Sequence, residues 1–299
     1  MVQLNEYFQG TGGATKLGYS LKDPKYIPQD YLDQKQFIIF RTCHSYGDWV
    51  ILSAMPRLLK QKYPDCTIVV PSPECILNYF SPLQWQNRSD NPFNNVLEIF
   101  TNNPYVDGMI DEIPVGLPVY HDHFRLYNEA IPDTPLVQQM LRFWRFEDSE
   151  IVDCEPELYW TDDEKDMGDS IIETVFGKDA FGFLYIDENF FYQINLPEDN
   201  IQARRDLIQT EISNHKLPWL YFAGNSSFNY STINNTTDVR DLNTTLRIQN
   251  YIKSKAKIVI GHQGGYGTDC MSRYSSCYVV PLTKNALNEH IQLRTKYLQ

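Results

Sequence analysis

The run Phe37-Ile38-Ile39-Phe40-Arg41-Thr42-Cys43-His44-Ser45-Tyr46-Gly47-Asp48-Trp49-Val50 constrains the fold more than any other part of the chain. Four consecutive large apolar residues suit a parallel strand covered on both faces. Ser45, Tyr46 and Gly47 then have turn chemistry, and Asp48 follows them. Beyond it Ile51, Leu52, Met55, Leu58 and Leu59 recur at helical spacing, with Pro56 in the first turns, where a missing amide hydrogen costs least. The expected unit is strand, loop, helix. In open α/β sheets ligands sit at the carboxyl ends of strands, which places Asp48 and its loop where chemistry is done. A second reading gives Asp48 no chemistry: its charge favours a helix N-terminus through capping and the helix dipole. On this stretch alone both readings stand.

Further strands are expected at Thr67 to Pro71, Val96 to Phe100 and Gly108 to Asp111, and a helix from Leu136 to Phe146. A second series follows, with strands at 182–186, 219–223, 257–261 and 277–281 and helices at 200–213 and 245–256. Strand and helix alternate with crossovers of ten or more residues, which implies parallel sheets of doubly wound type. The chain has 299 residues, enough for two cores of ordinary size. The boundaries read as an extended arm over 1–34, a first domain over 35–150, a second over 151–283, and a closing helix over 284–299. The acidic stretch from Ile151 to Trp160, with Pro156 in it, reads as the interdomain connection.

Net charge is −12 and Lys and Arg form no cluster, so duplex nucleic acid is a poor partner. The start of the chain has no basic region followed by an apolar one, and no run of about eighteen apolar residues occurs, so neither a signal peptide nor a membrane span is expected. The cytoplasm is the expected compartment. The six cysteines show no CxxC pair and no disulfide cadence, which fits reduced thiols. The Asn/Ser/Thr-rich segment from Asn225 to Thr237 reads as a loop.

Four segments, in order, resemble the heptosyltransferase-type glycosyltransferases, whose two Rossmann-like domains face a cleft in the GT-B fold. Arg41 to Asp48 followed by Leu52-Ser53-Ala54-Met55-Pro56-Arg57-Leu58 resembles the family's opening loop and helix. Tyr63-Pro64-Asp65-Cys66-Thr67-Ile68 resembles its turn into the second strand, and Asn103-Pro104-Tyr105-Val106-Asp107, followed by Ile110-Asp111, a recurrent segment of the family. Ala256 to Gly265 stands where the family has a strand ending in a glycine-rich donor loop. The likeness runs from about Phe37 to Leu282.

This resemblance implies an inverting, metal-independent glycosyltransferase of the hexosyl or heptosyl type, with no cofactor beyond a nucleotide-diphosphate sugar as co-substrate and a glycan-like hydroxyl as acceptor. It implies that Asp48 is the catalytic base, since an acceptor hydroxyl is a poor nucleophile until a carboxylate takes its proton. Donor binding would fall to Gly264, Gly265, Tyr266, Gly267, Thr268 and Asp269, where glycines admit the backbone and a capped helix start aims amides at phosphate. Gly224 and Asn225, after the neighbouring strand, would reach base or ribose. The acceptor side would use His44, Ser45, Tyr46 and Gly47, with His123 and Arg125 meeting either substrate. For each of these loops a plain structural turn is the competing reading. The chain departs from the family in having no Lys or Arg between Asp187 and Gln193, and in carrying His262-Gln263 in its donor loop.

His121-Asp122-His123 lacks a third ligand at a telling spacing, so a metal is not expected there. Asp162-Asp163-Glu164 follows Thr161 and precedes a helix, which is capping chemistry. Two alternatives to transfer stay open: a sugar-nucleotide epimerase or hydrolase on the same fold, and a non-catalytic nucleotide-sugar binding protein.

Overall fold

The computed structural model describes residues 29–39, 46–75, 94–112, 138, 141–142, 144–151, 153–186, 198–223, 233, 235–262, 271–280 and 295–297. Two compact units part between Tyr159 and Trp160. The first comprises Met1–Tyr159 with Asn288–Ile291, and the second Trp160–Leu287 with Gln292–Gln299.

In the first unit the order is α1 (Gln29–Asp33), β1 (Gln36–Ile38), α2 (Tyr46–Val50), α3 (Met55–Lys62), β2 (Thr67–Pro71), α4 (Asn94–Phe100) and β3 (Gly108–Ile110). The sheet runs β1-β2-β3, all parallel, with Phe37 opposite Ile68 and Val69 opposite Gly108. Phe37, Ile38, Ile39, Ile68 and Val70 are almost wholly buried, as a strand covered on both faces requires. Trp144 and Tyr63 present ring edges to Phe37 at centroid distances of 5.0 and 5.4 Å. Pro56 opens α3, whose Met55, Leu58 and Leu59 face the core while Lys60 and Lys62 complement the negative end of its dipole.

Two segments differ from the sequence expectation. Residues 29–33, assigned to the extended arm, are helix α1. Val96 to Phe100, expected as a strand, is the body of helix α4. A five-residue stretch with four apolar residues fits either state, and here Ile99 and Phe100 bury together before Asn102, at φ 61°, ends the helix.

The Asn103-Pro104-Tyr105-Val106-Asp107 segment is structural joinery. Asn103 is buried; its Nδ2 donates to the Ser53 carbonyl at 3.4 Å, and its Oδ1 accepts from the Tyr105 N–H at 3.0 Å. Asp107 exchanges two bonds with Ile68: its carboxylate accepts from the Ile68 N–H at 2.6 Å, and its own N–H donates to the Ile68 carbonyl at 2.8 Å. Lys60 pairs with the same carboxylate at 2.7 Å. The segment therefore fixes the entry to β3 against both β2 and α3.

Residues 153–159, expected as a connection, pack into the first unit. Cys154 to Leu158 are all buried. Glu157, only 5% exposed, accepts from Arg57 Nε at 2.9 Å, and its N–H donates to Ser53 Oγ at 2.8 Å.

The second unit contains β4 (Gly182–Ile186), β5 (Trp219–Ala223), β6 (Thr236–Asp238), β7 (Ile258–His262), β8 (Ser276–Val280) and β9 (Thr295–Tyr297), with helices α5 (Asp162–Phe176), α6 (Glu198–Ser213) and α7 (Leu246–Ser254). All strands are parallel, in the order β6-β5-β4-β7-β8-β9. Counted within this unit, that is 3-2-1-4-5-6, the order of a dinucleotide-binding α/β sheet. One face buries Leu184, Ile186, Trp219, Ile258 and Ile260 with Ile208 and Ile212 of α6. By strand alternation Phe183 takes the opposite face, and Lys253 of α7 lies 5.5 Å from its ring. Helix α5 begins with the capping box expected of Thr161 and Glu164 and ends at Gly177, φ 63°.

The closing helix expected over 284–299 is contradicted at 295–297, which form edge strand β9. Residues 236 and 237, expected as the end of a loop, open strand β6. Both are three-residue strands beside an existing sheet, too short to carry an alternating pattern of their own. Of the helix expected over 136–146, residues 138, 141 and 142 are helical whereas 144–146 are not, and the other residues of that run, like those of the arm before 29 and of the 284–299 segment outside 295–297, lie outside the described residues.

Candidate functional site

In the first unit the candidate residues lie on α2. The sequence suggested a turn carrying Asp48 ahead of a helix, whereas Tyr46, Gly47 and Asp48 themselves form the first turn of a five-residue helix. The Gly47 carbonyl accepts from the Ile51 N–H at 3.4 Å, and the backbone then breaks across 51–54 before α3 starts. Tyr46 is 2% exposed, and Trp49 and Val50 are fully buried, so side chains on both sides of Asp48 hold its backbone to the core. Trp49 meets Phe100 of α4 edge-on at 6.4 Å. Ser53, just beyond α2, donates to the Val50 carbonyl at 2.6 Å and accepts from the Glu157 N–H, which ties the break between the helices to the end of the unit. His44 and Ser45 lie outside the described residues.

In the second unit, taken by itself, the candidate region is the carboxyl edge of the six-stranded sheet. With the order 3-2-1-4-5-6 the chain reverses direction of winding between β4 and β7, and the crevice outside their carboxyl ends is where such sheets take ligands. Strand β7 ends there in Gly261 and His262. Gly261 has φ 153°, and a Cβ on it would overlap the Tyr185 carbonyl oxygen of β4, so the two backbones approach as only glycine permits. His262 is 1% exposed. The sequence reading noted Gly261 only as the end of a strand; the signal for its role is a lone glycine closing the bulky run Ile258-Val259-Ile260. Gly264, Gly265, Tyr266, Gly267, Thr268 and Asp269 lie outside the described residues, as do Gly224, Asn225, His123 and Arg125.

The same edge carries a charged pair absent from the sequence reading. Asp238, the last residue of β6, accepts from the Arg240 N–H at 2.8 Å and from Arg240 Nε at 2.9 Å, and Arg240 Nη2 pairs with its second oxygen at 2.5 Å. Burial pushes the Asp238 carboxyl up, but the bonds from Arg240 outweigh it and the group sits below the ordinary carboxylate range. The Arg240 guanidinium lies 6.0 Å from the Phe222 ring, which itself stacks with Tyr185 at 5.9 Å. Tyr185, Phe222 and Arg240 thus form a row across β4, β5 and the helical turn that follows β6. The short spacing Asp-x-Arg at a helical turn could have signalled the pair, had β6 been recognised.

In the first unit a cavity of about 430 Å³ is lined by Arg142, Arg145, Phe146, Glu147 and Asp148. Its charges are balanced: Arg142 Nε and Nη2 take both oxygens of Asp148, at 2.8 and 3.1 Å. Among the described residues no three His, Cys, Asp or Glu side chains gather as metal ligands, and no helix is long and apolar enough to cross a membrane.

No protein-family model matches the chain, and no curated protein matches it in sequence. Among solved structures it is similar to the glycosyl transferase family 9 protein of Veillonella parvula, at a TM-score of 0.48 and 9% identity, covering 88% of this chain and 85% of that one. It is also similar to the ADP-heptose LPS heptosyltransferase II of E. coli, at a TM-score of 0.44 and 10% identity, covering 87% and 89%.

Proposed function

We propose that the chain is a glycosyltransferase that moves a sugar from a nucleotide-diphosphate donor to a hydroxyl acceptor, with inversion and without a metal. The observation that carries this reading is the order β6-β5-β4-β7-β8-β9, because it sets the stem of the glycine-rich loop, Gly261 and His262, beside the end of β4 at the point where such sheets bind nucleotides. The ordered motif likeness from Phe37 to Leu282 supplies the reaction class. In that reaction the acceptor oxygen attacks the anomeric carbon as the bond to the diphosphate breaks, and the nucleoside diphosphate leaves with the bonding pair. Asp48 takes the acceptor's proton. Its place in the first turn of α2, fixed by Tyr46 and Trp49, suits a group that must be held still. Attack from the base's side with departure from the other inverts the centre.

The test is a panel of isotopically labelled nucleotide sugars with mass detection of a transferred sugar. Asp48→Asn should lower turnover by about 10²-fold or more, the usual worth of a positioned base. The same variant should keep the thermal shift produced by the matching nucleoside diphosphate. Transfer at an unchanged rate removes Asp48 from the role, and donor loss without acceptor replaces transfer by hydrolysis.

A further inference from the structure

We propose that Arg204 of α6 holds the donor's diphosphate and stabilises it as it leaves, an inference that rests on the transferase reading above. The helix carries its side chains in an unexpected order: Ala203 is exposed while Arg204 beside it is half-buried, the reverse of what their chemistry favours. Ile201, Ile208 and Ile212 define the inward face, and none is more than 5% exposed. Arg204 lies on a flank of that face with Leu207 and Glu211, one and two turns further on. Leu207 packs against the core of the sheet. Glu211 Oε1 meets His215 Nε2 at 3.3 Å, and the His215 ring lies edge-on to Tyr278 of β8 at 5.9 Å. The flank therefore follows β8, and α6 as a whole packs on β7 and β8.

Height along the sheet decides what Arg204 can reach. Because α6 joins the parallel strands β4 and β5, it runs back against them and starts at their carboxyl ends. From His215 back to Arg204 the helix climbs about 16 Å toward that edge. From Tyr278 forward to Val280, β8 climbs only about 7 Å, and Val280 is level with His262, the last residue of β7. Arg204 thus stands above the ends of both strands, beside the crevice where such sheets take nucleotides. Helix side chains lean toward the N-terminus, which for α6 is this same edge. Burial lowers the Arg204 guanidinium from its ordinary value, yet an arginine stays charged at any working pH. Its planar fork offers paired N–H donors that match phosphate oxygens. As the bond between sugar and diphosphate breaks, the electron pair stays on the diphosphate oxygen, so negative charge grows there. A fixed cation eases that step and needs no proton transfer. On a chain of net charge −12, an inward-set arginine at this edge also offsets the repulsion a diphosphate meets on approach.

The full chain is titrated by calorimetry with ADP, GDP, UDP and CDP and with the four parent nucleosides. The wild type should bind at least one diphosphate more tightly than its nucleoside. Arg204→Gln should weaken that diphosphate about tenfold or more, the worth of one charge-assisted contact, and leave the nucleoside within about twofold. Raising KCl should then weaken the diphosphate less in this variant than in the wild type. Arg204→Lys keeps the charge without the fork, so its affinity should fall between the two while its urea midpoint stays at the wild-type value. Lys178→Gln, an equal loss of charge at an exposed position, should change nothing. If the wild type transfers sugar from a labelled donor and both Arg204 variants bind the diphosphate as it does, this inference falls and the transferase reading stands. A wild type that binds none of the four diphosphates overturns both. Equal weakening of nucleoside and diphosphate would make Arg204 a packing residue and overturns the inference alone.

Discussion

Gly261 and Glu164 show how single positions carry this fold. At Gly261 the obstacle to a side chain is the backbone carbonyl of Tyr185, which no rotamer change can move aside. Gly261→Ala should lower the stability of the second unit by about 3 kcal/mol, the sum of a strained φ and an overpacked contact, as read from urea unfolding monitored in that unit. A wild-type midpoint would mean that β4 and β7 lie further apart there. Glu164 tests the electrostatics. Its carboxyl is held below the ordinary range chiefly by the hydrogen bond from Arg247, and its stabilising effect is therefore complete above the unfolded-state pKa and lost as pH falls through the folded value. Urea midpoints of the wild type should decline between about pH 5 and pH 3, and Glu164→Gln, starting about 1–2 kcal/mol lower at neutral pH, should decline less over that window. Equal slopes would assign the acid sensitivity to other carboxylates. Of these residues, Glu164 was legible as a cap because Thr161 three positions earlier is a local signal. Arg247, its partner, was not, since 83 residues separate them.

At the scale of elements, the long apolar strands were legible wherever composition left one answer. Residues 182–186, 219–223 and the core of 257–261 are strands whose runs of three or four consecutive bulky residues, rich in β-branched and aromatic side chains, suit a sheet buried on both faces. The misread elements are short. Val96 to Phe100 became helix through burial of Ile99 and Phe100, while β6 and β9 exist because a neighbouring strand offers an unpaired edge. Asp48 was placed near the right turn, but its inclusion in α2 depends on Tyr46 and Trp49 finding a core that no local pattern reveals. Strand β9 yields a prediction at this scale. Truncation after Arg294 removes the pairing of Thr295, Lys296 and Tyr297 with β8 and leaves β8 as an open edge. The truncated chain should self-associate on light scattering and should lose urea resistance in the second unit before the first. A monodisperse truncation with full stability would deny β9 a protective role.

Across the whole molecule, two of the segments that suggested kinship, Tyr63 to Ile68 and Asn103 to Asp107, have structural work of their own. Tyr63 donates to the Trp144 carbonyl at 3.0 Å and packs on Phe37, while Asn103 and Asp107 bind Ser53, Ile68 and Lys60. None of these contacts needs a substrate. They explain why an ordered series of weak motifs could indicate the architecture while leaving the sugar and the nucleotide unassigned.

The bonds of Asn103 and Asp107 to Ser53, Ile68 and Lys60 hold whatever side chains line the substrate loops. On the proposed function, exchanging the residues assigned to substrate should therefore change sugar or base preference at small thermodynamic penalty, so that architecture and selectivity can be tuned as independent variables.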